Sequence, residues 1–234
     1  MELNRFKQLL ESKSGDVKPL LNEEEKSTTN NSLGKITTTY SGEARKNIEL
    51  LVSKMVSKGI TDPIVQIGLL ATIGKESYFI PQNEKSYKDT PNSDIRKIFS
   101  STKRLSDKQL TELKNNPEYF FNYVYGPYGV GPALGNVRLD DGYKYIGRGF
   151  NQITGRNNYR NYGYEGNPES LNNVSVAASA AVNFLAKEGK ALNNKFKSIP
   201  EALKFFVVRN HGGKYNSAAE QAALNQLQYF KMNK

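Results

Sequence analysis

The 234-residue chain has no cysteine, no tryptophan and a single histidine, His211. Without cysteine there is no disulfide framework and no thiolate metal site, and synthesis in a reducing compartment is expected. One histidine leaves few routes to a multi-histidine metal centre or a Ser-His triad. Elimination therefore favours metal-independent carboxylate chemistry, with no metal and no organic cofactor expected. Long apolar runs are also missing: no stretch approaches the roughly 18 residues of a membrane span. Residues 1–21 lack both a continuous apolar stretch and a small-residue cleavage site, so a secretory signal is not expected.

Apolar residues reach only 37% and mean hydropathy is −0.64, yet 14 Tyr and 11 Phe supply rings enough to build a core. The balance of 33 Lys and Arg against 23 Asp and Glu gives a net charge of +10. Such a surface is drawn to a polyanion: nucleic acid, an anionic membrane, or a bacterial wall with phosphate-bearing polymers. Charge alone does not choose among the three.

Three regions differ in texture. Leu3, Phe6, Leu9 and Leu10 recur at helical spacing, so residues 1–21 read as an amphipathic segment. Residues 22–40, rich in Glu, Lys, Ser, Thr and Asn, read as a polar linker. Residues 41–234 form the main domain, helical with long loops. Ser41 is placed to cap a helix carrying Ile48, Leu51, Val52 and Met55, which Gly59 closes. Thr61-Asp62-Pro63 opens a second helix, apolar nearly all round, that runs to Ser77 and is expected to be central. Ser106 and Gln109 form a capping box, and Pro117–Tyr125 is apolar. The glycine-rich stretch 126–142 reads as loop, and residues 143–154 as a short extended segment. Further helices are predicted over 175–188, 200–209 and 217–230, the last with a capping box of Ser217 and Glu220. The fold class is mainly α, with at most a small β element.

Two features carry chemistry. Glu76 lies near the C-terminal end of the apolar helix, on one face with Val65, Leu69, Thr72 and Ile73. An apolar setting and the negative end of the helix dipole both favour a retained proton there, as a general acid requires. The plainer alternative is an exposed helix end or a pair with a neighbouring Lys or Arg. The second feature is the run from Tyr145 to Tyr159, Tyr-Ile-Gly-Arg-Gly-Phe-Asn-Gln-Ile-Thr-Gly-Arg-Asn-Asn-Tyr. Its neutral amides and hydroxyl, Gln152, Thr154 and Asn158, suit sugar binding. A basic, aromatic loop for nucleic acid is the rival, and it is less favoured.

This run resembles the Tyr-Gly-Arg-Gly-x-x-Gln-Leu/Ile-Ser/Thr signature of family 19 glycoside hydrolases, which include plant-type chitinases and many bacteriophage endolysins. The order of parts agrees, with Gly74-Lys75-Glu76-Ser77 upstream and Asn210-His211-Gly212-Gly213 downstream. The resemblance implies a lysozyme-like helical fold and Glu76 as general acid. By the same resemblance Gln152 and Thr154 orient water or sugar, Asn158, Asn210 and Tyr145 bind saccharide, and Arg148 braces the loop. A second carboxylate is implied at Glu84, followed by Thr90, with Asp89 and Asp94 as rivals. Two positions depart from the pattern. Lys75 stands where His is frequent, and no Arg follows Arg209.

The implied substrate is peptidoglycan, cut between N-acetylmuramic acid and N-acetylglucosamine. Anionic wall polymers are a further expected partner, and residues 1–40 could attach to a virion or tail. The enzyme would accumulate in the host bacterial cytoplasm before reaching the wall, or travel with the virion. A chitinase acting on β-1,4-linked N-acetylglucosamine and a non-catalytic wall-binding module are the alternatives.

Overall fold

The computed structural model describes residues 34–233. The expected amphipathic segment 1–21 and most of the expected linker lie outside the described residues. In chain order the elements are β1 (Ile36–Thr38), α1 (Gly42–Ser57), α2 (Pro63–Ser77), α3 (Asn92–Ile98), α4 (Asp107–Lys114) and α5 (Pro117–Val124). They continue with α6 (Gly131–Leu134), α7 (Asp141–Lys144), α8 (Arg156–Asn161), α9 (Val174–Leu185), α10 (Ile199–Asn210), α11 (Ser217–Gln226) and β2 (Phe230–Met232). The fold is mainly α with one small sheet. Among the described residues no helix is long and apolar enough to cross a membrane.

The chain divides into two compact units rather than one continuous domain from residue 41. A helical unit holds residues 34–83, Arg148–Ile153 and 169–233; a loop-rich unit holds Glu84–Gly147 and Thr154–Pro168.

In the helical unit, β1 pairs antiparallel with β2, Ile36 opposite Met232 and Thr38 opposite Phe230. The linker expected to reach residue 40 therefore ends earlier. Ile36 is buried beside Phe230, whose ring packs on Phe79 and Tyr40. The same pairing shortens the last helix, which stops at Gln226; a 3-10 turn (Leu227–Tyr229) leads into β2. Its cap also differs by one residue: Asn216, not Ser217, accepts the Ala219 amide at 3.0 Å. Ser41 occupies the cap position of α1 without a side-chain bond to it.

α2 starts as expected, with Asp62 Oδ1 accepting the Ile64 amide at 2.9 Å and Pro63 in the first turn. Its residues from Val65 to Gly74 are buried on every side, against α1, α10 and α11. The tightest approach is at Gly68. A Cβ there would lie 2.9 Å from both Ala202 Cβ and the Leu203 backbone nitrogen on α10. Ala71 joins Leu203 and Val207 of α10 and Ala219 and Ala223 of α11 in one small apolar seam.

The loop-rich unit has its own core of Ile95, Phe99, Leu110, Leu113, Phe120, Phe121, Tyr123, Val124 and Ile146. The capping box of α4 is complete: the Gln109 amide donates to Ser106 Oγ at 3.3 Å, and the Ser106 amide donates to Gln109 Oε1 at 3.0 Å. The stretch 126–142 is not wholly loop, because it contains α6 and the start of α7. Nor is 143–154 an extended segment. Its only strand-like pairing is a bridge between Arg148 and Ile153, which close four residues into a tight hairpin.

Adding one methyl group at Gly68 must push α10 off α2. Gly68→Ala is expected to cost about 1–3 kcal/mol, the usual range for overpacking. Gly166→Ala, where an added Cβ meets nothing within 4 Å, should be near neutral. Urea unfolding of both variants against the parent checks this.

Candidate functional site

The close pair Gly68 and Ala202 sets the geometry around Glu76. Eight residues further along each helix, Asn210 Nδ2 donates to Glu76 Oε1 at 2.7 Å. Eight residues of α-helix advance about 12 Å on either side, so α2 and α10 run in the same direction. Their C-terminal ends, both negative ends of helix dipoles, converge on Glu76. Lys75 supplies the opposing charge: its buried ammonium pairs with the same Oε1, while the Glu76 side chain is 26% exposed. Among the described residues Oε2 accepts no hydrogen bond. Asn210 Oδ1 is buried with no hydrogen-bond partner among the described residues.

The backbone after Glu76 is sharply reversed. Tyr78 and Phe79 both lie in the left-handed region, at φ 48° and 63°, a conformation that costs of order 1–3 kcal/mol per residue. Surrounding contacts enforce it. Asn47 Nδ2 donates to the Phe79 carbonyl at 2.8 Å. The Phe79 ring folds under Gly74, where a Cβ would meet it at 2.8 Å. Tyr40 packs edge-on against Phe79 and donates its hydroxyl to Gln226 Oε1 at 2.6 Å. Burial, with Tyr229 and Tyr78 close by, pushes that hydroxyl up to about 12.

The Arg148–Ile153 hairpin belongs to the same unit. Phe150 is fully buried in its core, and Arg148 is buried. Gln152, at φ 51°, donates from Nε2 to the carbonyls of Gln82 (2.6 Å) and Gly149 (3.3 Å). Its amide nitrogen is thus a latch on the chain that leaves Glu76.

Glu84 sits in the loop-rich unit, in a setting the sequence did not announce. Its Oε1 accepts the hydroxyls of Tyr125 at 2.8 Å and Tyr87 at 3.1 Å, and its Oε2 accepts the Gly147 amide at 3.3 Å. Its own amide donates to the Gly147 carbonyl at 2.7 Å. Burial pushes the Glu84 carboxyl above its ordinary 4.5, and the three donors oppose that rise. Both tyrosine hydroxyls are pushed well up by burial and by the neighbouring carboxylate. The rival acids are differently placed: Asp89 is exposed, and Asp94 pairs with Lys97 at 2.7 Å on the surface. Thr90 makes no hydrogen bond to Glu84; its carbonyl accepts from Lys114.

The rest of the Tyr145–Tyr159 run packs within the loop-rich unit. Tyr145, expected to bind saccharide, is 1% exposed, stacked under the Arg156 guanidinium and tilted against Tyr159. An interior ring cannot offer its face to a sugar, so Tyr145 is a packing residue. Asn158 Nδ2 donates to the Thr154 carbonyl at 2.8 Å, a bond within one helical turn. The fully buried Asp141 accepts the Val137 and Arg138 amides at 2.9 Å each and is paired with Arg156, which also reaches Glu165 at 3.2 Å. Two Arg partners hold the Glu165 carboxyl down at about 2. From Arg156 the bonds continue: its amide donates to Asn136 Oδ1, and Asn136 Nδ2 donates to the Tyr125 carbonyl, each at 2.8 Å.

Tyr87, Tyr125, Asp141, Arg156 and Glu165 were not singled out from sequence. Tyr87 lies three positions after Glu84 and was open to discovery; Tyr125, 41 positions away, gave no local signal. Among the described residues there is no group of three or more His, Cys, Asp or Glu able to hold a metal ion. No family model matches the chain, and no curated protein matches it in sequence.

Two measurements probe this arrangement. Removing the cation from a buried pair strands the anion, so Arg156→Met is expected to cost about 3–5 kcal/mol in chemical unfolding; adding Asp141→Asn should recover part of it. In a carbon-detected titration Glu84 should lose its proton above 4.5, and higher still in Tyr125→Phe, which removes a donor to the carboxylate. The native state then holds this proton where the unfolded chain has released it. This group's contribution to stability therefore falls as pH rises from about 4.5 through the native midpoint. A Glu84 midpoint below 4.5 would contradict this account.

Proposed function

We propose that the protein is a peptidoglycan-degrading glycoside hydrolase on a lysozyme-like scaffold of the family 19 chitinase type. It cleaves the β-1,4 bond between N-acetylmuramic acid and N-acetylglucosamine. The observation that carries the reading is the 2.7 Å bond between Glu76 and Asn210, residues 134 positions apart. They are the upstream and downstream members of the motif set, and they meet at one carboxyl group.

Such cleavage needs one carboxyl to protonate the leaving oxygen and a second to activate water or meet the cation-like centre. Glu76 is the general acid. Lys75 and Asn210 both occupy Oε1, so Oε2 is the oxygen from which a proton passes to the glycosidic bond. Glu84 supplies the second carboxyl. A base whose proton affinity is raised toward the working pH removes a proton from water more effectively than an ordinary Glu. Asn210 holds saccharide beside Glu76, while Gln152 acts as a positioning residue through its grip on Gln82. Thr90, Thr154 and Asn158 are assigned to the water and sugar side of the same reaction.

Charge supports a wall substrate over neutral chitin. The helical unit that carries Glu76 has 15 Lys and Arg against 8 Asp and Glu. Anionic wall polymers are accordingly partners, and the protein acts as an endolysin or a virion-associated lysin, with residues 1–40 as an attachment segment in the latter case. One observation favours a second reading, a wall-binding module without turnover: the ion pair that Lys75 makes with Glu76.

Clearing of permeabilised bacteria by the purified chain separates the two. The parent should lower turbidity, and Glu76→Gln should reduce the rate by about 10²–10⁴-fold, the scale of general acid catalysis, with an unchanged circular dichroism spectrum. A parent that binds walls without clearing them would establish the second reading. Soluble chitooligosaccharides from chitin, in place of wall fragments, would make the enzyme a chitinase.

A further inference from the structure

Beyond Glu76 and Asn210 the helical unit carries a groove of about 530 Å³ lined by His211, Lys214, Tyr215, Asn216 and Ser217. It opens on the bend that joins α10 to α11, directly after Asn210. Gly212 and Gly213, at φ 63° and 87°, turn the chain with open space around them. Tyr215 is 58% exposed although its ring is large, and the Lys204 ammonium lies 4.9 Å from the ring centroid. The neighbouring Glu220 carboxylate pushes the Tyr215 hydroxyl up. His211 Nδ1 lies 2.9 Å from the Val207 carbonyl. A carbonyl only accepts, so Nδ1 carries the proton and Nε2 is the nitrogen left for a ligand. Lys214 is exposed on the same rim.

A half-exposed aromatic ring, an imidazole nitrogen free for a hydrogen bond and an exposed cation around one groove are the parts that hold a sugar ring bearing a negative charge. We propose that this groove is a subsite for the carboxylate-bearing amino sugar of the wall glycan. Tyr215 stacks on the apolar face of the pyranose, His211 bonds a ring substituent, and Lys214 pairs with the carboxylate. The inference rests on the hydrolase reading for its ligand but on different residues for its geometry. It gives Lys214 a defined task, discrimination between the anionic wall glycan and neutral chitin. The carboxylate can be the lactyl group itself or a carboxyl on the attached peptide stem.

The full-length Glu76→Gln protein, which does not consume ligand, is titrated calorimetrically with three oligosaccharides of equal sugar number. They are a chitooligosaccharide, a peptide-free N-acetylglucosamine–N-acetylmuramic acid chain, and the same chain with its stems. At least one charged chain should bind more tightly than the chitooligosaccharide. The peptide-free chain leading identifies the lactyl carboxylate, and only the stemmed chain leading identifies the stem. Lys214→Gln in this background should abolish the preference, an effect of about tenfold for one charge-assisted contact. Tyr215→Ala should weaken all three ligands alike. Both changes fall at exposed positions, so the fold is retained. Equal affinity for charged and neutral chains, or a preference that survives Lys214→Gln, overturns the subsite. Wall clearing by the parent, assayed in parallel, keeps the two ideas apart. Clearing without a charge preference leaves the hydrolase and removes the subsite; a charge preference lost in Lys214→Gln, without clearing, leaves the subsite and removes the hydrolase.

Discussion

The absence of a side chain at Gly68 is the constraint on which the helical unit turns. Two helices whose contact residues, Gly68 and Ala202, lie 134 positions apart approach there to a distance that even a methyl group would block. Because the approach is so close, α2 and α10 share a register, and everything downstream on each is placed by counting turns. Asn210 reaches Glu76 because the two helices advance together for the same number of residues. Cores are packed too densely for such a register to slide without loss. The apolar seam with α11 then closes the third side, and Gln226 at the end of α11 returns to Gly74 and Tyr40.

The loop-rich unit uses a different device. Its helices are short, none longer than the eight residues of α4 and α5, so polar bonds share the positioning. The Asp141–Arg156 pair is buried, and its acceptors are taken by backbone amides as well as by the guanidinium. Enclosed charges are tolerable when each has a partner and its remaining hydrogen-bonding groups are satisfied. From that anchor a chain of bonds runs through Asn136 to Tyr125, and from Tyr125 to Glu84. The carboxylate is therefore held by groups whose own positions are fixed one step further back.

The helical scaffold was largely readable. The apolar run from Ile64, the Asp62-Pro63 start and the Ser106–Gln109 box are local signals with local causes, and each appears where the spacing places it. Long-range pairing was not readable. Ile36–Thr38 is a three-residue strand whose partner lies at the other end of the described chain, so nothing nearby distinguishes it from linker. Residues 143–154 read as a short extended segment around Gly-Arg-Gly; burial of Phe150 and the Arg148–Ile153 bridge close that part into a hairpin instead. For the site, Glu76 and Glu84 were nominated from helix position and motif order. The Tyr pair around Glu84 depends on which turn lies beside which, and that information is not local. Tyr145 shows the converse error, in which an aromatic residue inside a polar motif serves packing.

Glu76 and Lys75 dictate which end of the Asn210 amide faces the carboxylate: the NH₂ must, since an oxygen there would face another oxygen. That choice turns the carbonyl end to a buried position with no donor among the described residues. An unmet buried acceptor costs roughly 1–3 kcal/mol. A hydroxyl or amide hydrogen arriving at that oxygen relieves it. The side chain is thereby strained toward company, with one end committed and the other waiting.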